Sequence, residues 1–188
     1  MKKVLVVAAV KEEVSNLNHN VVITGIGKHN AVKSLTETLL CFSERLLRDL
    51  VILNVGTVGS KDFKVGTILD ITESIDKTRS FLKEEQSKIN NNISDNLREK
   101  FKIEKSKVLS VEEFQSEGLD ETLSPVAIDM ELSSLVDVCE AFEVPLLSVK
   151  IVSDNLDSSL EEWWKIVKPL SLKLTSCVQQ FIQEIELD

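Results

Sequence analysis

Apolar residues in this chain fall into two kinds of pattern. Short apolar runs stand at residues 4–9, 51–55 (interrupted only by Asn54) and 126–128, the form taken by strands buried on both faces. Residues 21–24, 66–72, 107–111 and 144–152 also read as strands, the last starting at an edge because Pro145 cannot donate to a ladder. Longer stretches space apolar residues by three and four and predict helices. The first covers residues 31–50, with Val32, Leu35, Leu39, Phe42 and Leu46 on one face. The second covers 131–142. The third covers about 160–185, with Trp163, Val167, Leu170, Leu174, Val178 and Phe181, and Pro169 within it predicts a kink or a break. Residues 76–105 are polar and predict a solvated loop with one exposed helix near 94–102. Strands alternating with helices give an α/β class with a largely parallel sheet. There is no internal repeat, and one domain over residues 1–188 is expected.

Composition narrows the partners. With 31 acidic against 22 basic residues, the formal net charge is −9, which argues against nucleic acid or an anionic membrane, since both need a basic face. A chain of 188 residues can bury roughly 70% of its unfolded surface and needs no disulfide or metal staple. Cys41, Cys139 and Cys177 each lie in an apolar helical pattern, so buried free thiols are expected. His19 and His29 read as loop or helix-start residues, and no His/Cys/carboxylate spacing resembles a metal site. The opening "MKKVLVVAAVKEE" has an apolar run too short for a signal peptide and charges where cleavage would fall. No run reaches the ~20 apolar residues of a membrane span, so a cytoplasmic protein is expected.

Ligands of α/β sheets bind outside the carboxyl ends of the strands. There this sequence places Lys11, Glu12 and Glu13; Gly25-Ile26-Gly27; Gly56-Thr57-Val58-Gly59; Glu112, Glu113 and Phe114; Asp129-Met130-Glu131; and Ser153-Asp154. Each also has a structural reading, since acids at a helix start favour the macrodipole and cap free amides. The coincidence of carboxylates at several strand ends is the chemical signal, because crowded carboxylates raise one another's pKa. The phosphate-binding motifs G-x-x-x-x-G-K-[ST] and G-x-G-x-x-G are absent, as is the hydrolase elbow G-x-S-x-G. A carboxylate-rich, hydroxyl-lined edge suits a neutral ligand with vicinal sugar hydroxyls, which one carboxylate can accept together.

In order, the segments "AAVKEEV", "GIGKHNA", "NVGTVGS" with "KVGTILD", "AIDMELSSL" and "VKIVSDNLD" resemble the purine nucleoside phosphorylase superfamily. The likeness is greatest to its 5′-methylthioadenosine/S-adenosylhomocysteine nucleosidases. The resemblance implies a three-layer α/β/α fold with a central, mostly parallel (mixed) sheet. It also implies hydrolysis of the N-glycosidic bond of an adenosine-type nucleoside, as in methionine salvage. By resemblance, Asp154 of the "SD" pair with Ser153 is the general acid at purine N7, and Glu13 activates the attacking water. Met130 then packs against the ribose and Glu131 accepts its 2′- and 3′-hydroxyls, with Asp129 beside them. Thr57 matches a small hydroxyl residue of the site, and Phe114 an aromatic that stacks on the purine. Lys150 stands where the nucleosidases usually have Arg, and Asp129 where they usually have Glu. The implied assembly is a homodimer with a small-molecule nucleoside and no cofactor. The alternatives are a phosphate-dependent phosphorylase, a futalosine-type hydrolase and a non-catalytic nucleoside-binding homologue. Phosphate needs cationic donors, and Lys28 is the only candidate near a glycine turn.

Overall fold

A computed structural model describes residues 2–76, 86–113, 126–157 and 159–187. The strands are β1 (Lys3–Ala8), β2 (Val21–Ile23), β3 (Leu50–Gly59), β4 (Ile68–Asp76), β5 (Gln86–Lys88), β6 (Glu104–Ser110), β7 (Val126–Asp129) and β8 (Leu146–Asp154). The helices are α1 (Lys28–Leu40), α2 (Glu44–Asp49), α3 (Asp95–Phe101), α4 (Leu132–Ala141) and α5 (Leu160–Leu187), with a single 3₁₀ turn at Lys11–Val14. The α/β class agrees with the strand–helix alternation, and the mixed sheet, with antiparallel pairs β3–β7, β4–β5 and β4–β8, agrees with what the resemblance implies.

The sheet follows the path β2-β1-β3-β7-β6-β4-β5, and β8 pairs with both β3 and β4. Five strands, β3, β8, β4, β6 and β7, therefore close into a ring. The closing contact is narrow: β3 and β7 meet antiparallel at Gly59 and Ile128. Strand alternation along the sequence does not predict this closure.

Alternate residues of β1 serve two cores, as a pleated strand requires. Val4, Val6 and Ala8 pack with Leu174, Val178 and Phe181 of α5, while Leu5 and Val7 pack with Leu35 and Leu39 of α1 and Leu135 of α4. A third cluster, including Val58, Leu69, Val108, Leu132 and Val152, joins β3, β4, β6 and β8 to α4.

Several local expectations are corrected. The helix expected over 31–50 is two helices, because Ser43 interrupts it and caps α2 by accepting from Leu46 N. Strand β3 does not end at Val55 but runs on through Gly-Thr-Val-Gly, since β8 supplies partners from Ile52–Leu146 to Gly59–Asp154. With neighbours on both sides, β8 is not an edge strand, and Pro145 stands just before it. Pro169 does not break α5; both it and Lys165, whose carbonyl it leaves without an amide, are on the exposed side and open to water. Cys139 and Cys177 are buried as expected, but Cys41 is exposed at the end of α1.

The segment read as a solvated loop is the largest correction over its described part, 86–105; residues 77–85 lie outside the described residues, and the helix expected near 94–102 is α3. β5 pairs with β4, and Ile89, Asn91, Ile93 and Leu97 are all buried. Asn91 accounts for the polar appearance of this buried stretch. Its Oδ1 accepts from Ser148 N at 2.8 Å, and its Nδ2 donates among Asp70 Oδ1, Ile71 O at 3.1 Å and Ser148 O at 2.9 Å. Arg98 of α3 holds the other oxygen of Asp70. Asn91→Ala leaves these buried groups without partners, at roughly 1–3 kcal/mol for each one not recovered. We expect a lower urea midpoint with an unchanged slope; an unchanged midpoint would show that the segment adds nothing to the fold.

Candidate active site

The closure of the ring at Gly59 and Ile128 brings together the carboxyl ends of strands that run in opposite directions. A cavity opens there. Its lining includes Glu13, Thr57, Asp129, Met130, Glu131, Ser153 and Asp154, with apolar walls from Ile26, Leu156, Leu160 and Trp163. Apart from Phe114, which lies outside the described residues, every site residue expected from the sequence lines this one cavity. Glu12 and Glu113 are exposed, and Glu112 turns instead to Lys28.

Glu13 is buried on the 3₁₀ turn after β1. Its Oε1 accepts from Thr57 N at 2.7 Å and Thr57 Oγ1 at 2.8 Å, and its Oε2 from Val10 N at 3.3 Å. This approach requires Gly56, where a Cβ would come within 3.0 Å of Glu13 Oε1. Burial pushes the Glu13 carboxyl above its ordinary value, against the pull of Lys150 and of the hydrogen bonds from Thr57 and Val10.

Asp129 ends β7 and is fully engaged. Its Oδ1 accepts from Ser110 Oγ at 2.7 Å, and its Oδ2 accepts from Leu132 N at 3.0 Å and pairs with Lys150 Nζ at 3.2 Å. It is a support for the start of α4 rather than a free acid. Glu131, two residues on, accepts Gly27 N at 2.7 Å. Gly27 adopts φ +93°, a conformation that strains any residue with a side chain, and this aims its amide at the carboxylate. Burial, the neighbouring Asp129 and, more weakly, Glu13 push Glu131 up to about 7, against Lys150 and the Gly27 amide.

Asp154 ends β8 after an irregularity in the ladder. Val58 pairs with Val152 and Gly59 with Asp154, so Ser153 is left without a cross-strand partner. The Ser153 hydroxyl lies 3.2 Å from Val58 O and 2.7 Å from Asp154 Oδ2, while Asp154 Oδ1 accepts from Leu156 N at 2.9 Å. Gly59 is needed here too, since a Cβ would strike Leu156 and come within 2.9 Å of Asp154 Oδ1. The Ser153 hydroxyl has one hydrogen, which it donates to either Asp154 Oδ2 or Val58 O, so it holds the carboxyl group against the end of β3.

Two contributors were not legible as site residues. Trp163, which reads as part of the core stripe of α5, lines the cavity and donates Nε1–H to Thr57 Oγ1 at 3.1 Å. Lys150 sits buried beneath the acids. Lys28, the cation beside the glycine turn, is buried and engaged by Asp76 Oδ1 at 2.7 Å and Glu112 Oε1 at 3.1 Å. The described residues lining the cavity include no Lys or Arg.

A fold that closes a mixed sheet around such a cluster belongs to a known class. The family model described as "Phosphorylase superfamily" matches residues 10–183, and the chain belongs to that superfamily. Its fold is similar to that of a futalosine hydrolase mutant of Helicobacter pylori strain 26695, with TM-score 0.80 and 18% identity over 98% of this chain and 100% of that one. It is also similar to the 5′-methylthioadenosine/S-adenosylhomocysteine nucleosidase of Neisseria meningitidis in complex with methylthio-immucillin-A, with TM-score 0.76 and 17% identity over 98% and 100% of the two chains. The apo 5′-methylthioadenosine nucleosidase of Arabidopsis thaliana gives TM-score 0.78 and 17% identity over 98% and 96%. No curated protein sequence gives a significant match.

The raised Glu131 carboxyl makes stability depend on pH with a definite sign. Below about pH 4.5 the group is protonated folded and unfolded, and its burial carries no ionisation penalty. As pH rises to about 7 the unfolded chain releases a proton that the fold retains, so stability falls, by roughly 3 kcal/mol across the window. Glu131→Gln keeps an acceptor for Gly27 and removes the titration. Its melting temperature should exceed that of wild type at pH 8 and converge with it at pH 4.5. An equal difference at both pH values would mean that Glu131 does not titrate in this way.

Proposed function

We propose that the protein is a nucleosidase that hydrolyses the N-glycosidic bond of an adenosine-type nucleoside of the 5′-methylthioadenosine/S-adenosylhomocysteine class. One observation carries this reading: Glu13, Glu131 and Asp154 converge on a single cavity with an apolar wall, and the described lining offers no cation for a phosphate. Hydrolysis breaks the bond between the anomeric carbon and the purine nitrogen. The bond electrons pass to the purine, and Asp154 supplies the proton at N7 that neutralises it. Water adds to the anomeric carbon, and Glu13 takes its proton. The positive charge that develops on the ribose is favoured by the surrounding carboxylates. Glu131 has its Oε2 and the second lone pair of Oε1 left for the 2′- and 3′-hydroxyls. Met130 and Trp163 supply apolar contact, and Phe114 is assigned to stacking on the purine.

A phosphorylase needs a cationic cradle for phosphate, and the engagement of Lys28 by Asp76 and Glu112 supports hydrolysis over it. The test is product analysis on a small panel: 5′-methylthioadenosine, S-adenosylhomocysteine, adenosine, inosine and futalosine. Free base and free sugar are expected without phosphate and in the presence of a chelator. A sugar 1-phosphate formed only with phosphate would replace this reading by the phosphorylase. In the same assay Asp154→Asn should lower turnover at least ~100-fold, and near-normal turnover would remove Asp154 from the chemistry.

The same reading includes a homodimer whose interface adjoins the cavity. Ile26 and Leu160 at the cavity, with Val32 on α1, are apolar and exposed in the single chain, which supports a covering partner. Light scattering should give twice the 21.1 kDa chain mass, and a monomer of full activity would end the claim.

A further inference from the structure

The geometry points to Trp163 as a positioning residue that acts through Thr57 to decide which oxygen of Glu13 receives a proton. This rests on the reading of Glu13 as the group that takes the proton of the attacking water. The direction of the hydrogen bonds follows from the donors. An indole N–H can only donate, so Thr57 Oγ1, at 3.1 Å, accepts there. The hydroxyl has one hydrogen of its own, and its next contact is Glu13 Oε1 at 2.8 Å. That oxygen also receives Thr57 N–H at 2.7 Å. Both of its lone pairs are thereby occupied. Oε2 receives a single amide, Val10 N at 3.3 Å, and keeps one lone pair free. The proton from water therefore goes to Oε2, and the Trp163–Thr57 pair keeps the side chain from turning over.

Trp163 is well placed for this. It is only 8% exposed, in the first turn of α5, and is packed edge-on against Trp164, with centroids 4.7 Å apart. The indole thus ties the start of the last helix to β3. The charged groups that face Glu13 from neighbouring elements are Lys150 on β8 and Glu131 at the start of α4, which itself adjoins Asp129. Among the described residues the indole N–H bonds Thr57 Oγ1, so its removal reaches Glu13 through Thr57.

Trp163→Phe removes the donor and keeps an aromatic ring; replacement of Trp163 by benzothienylalanine keeps the full ring volume and also lacks the N–H. Each should move the Glu13 carboxyl titration, followed by carbon-13 NMR, upward by about half to one pH unit. The acidic limb of the turnover–pH profile should move by the same amount. Turnover below the limb should fall roughly three- to tenfold, KM should change less than about twofold, and the defect should vanish at higher pH. Adding Thr57→Val to either variant should give no more shift than Thr57→Val alone, because one chain of bonds is being cut. Trp164→Phe should leave both readouts unchanged. A loss uniform across pH with an unmoved Glu13 titration would overturn the proposal and leave Trp163 as a wall of the cavity. An equal shift from Trp164→Phe would overturn it as well. If the wild-type chain releases no purine while the carboxyl titration still moves, the hydrogen-bond path from Trp163 through Thr57 to Glu13 stands, and the nucleosidase reading falls together with the role of that path in catalysis.

Discussion

Lys150 is the point on which the site depends. Its ammonium is buried, 3.2 Å from Asp129 Oδ2, and its charge reaches Glu13 and Glu131 as well. Carboxylates removed from water are tolerated only when paired or hydrogen-bonded. Here one cation faces several acids, so compensation is incomplete and both Glu13 and Glu131 hold their protons above the ordinary range. The same incompleteness underlies the acid–base roles proposed for the cluster.

The position of Lys150 is fixed by the closed sheet. It lies in register with Gly56 of β3 on one side and Leu69 of β4 on the other. Gly56 is where the absence of a side chain admits Glu13, so the cation and this acid are set against the same stretch of β3. From Asp129 a chain of hydrogen bonds runs outward through Ser110 Oγ to the amide of Ser133, whose hydroxyl reaches Asp76, the partner of Lys28. The start of α1, which presents Gly27 to Glu131, is thus held by the same buried network that orders the acids. Such networks rigidify a site when every member is satisfied.

Much of the fold was legible because burial leaves periodic marks. The apolar runs of β1 and β7 and the stripes of α4 and α5 were found within a few residues, while α1 and β3 were found with their starts right and their ends wrong. The errors arose where a polar side chain did the work of an apolar one. Ser43 ended a helix that the apolar spacing carried on. Asn91 made a buried segment look solvated, because its value lies in hydrogen bonds to Asp70 and β8 that no local pattern reveals. The "GTVGS" stretch read as lying beyond the end of the strand, yet its glycines are inside β3 and leave room for Glu13 and Asp154.

For the site, the sequence by itself determined which residue types stand at the carboxyl ends of the strands, since an acid or a glycine after a buried run is a local fact. It could therefore nominate Glu13, Thr57, Asp129, Glu131 and Asp154. Only the tertiary structure decided how they divide their work. Ring closure through Gly59 and Ile128 brings ends of opposite strands together, and that contact is remote in sequence. Whether an acid is engaged or free depends on partners from other strands: Asp129 is taken up by Ser110, Leu132 and Lys150, whereas Glu131 keeps an oxygen open. Trp163 belongs to the site only because α5 packs its first turn beside β3. The physical reason is the same throughout: side-chain periodicity is set by neighbours along the chain, but charge compensation and hydrogen-bond direction are set by neighbours in space.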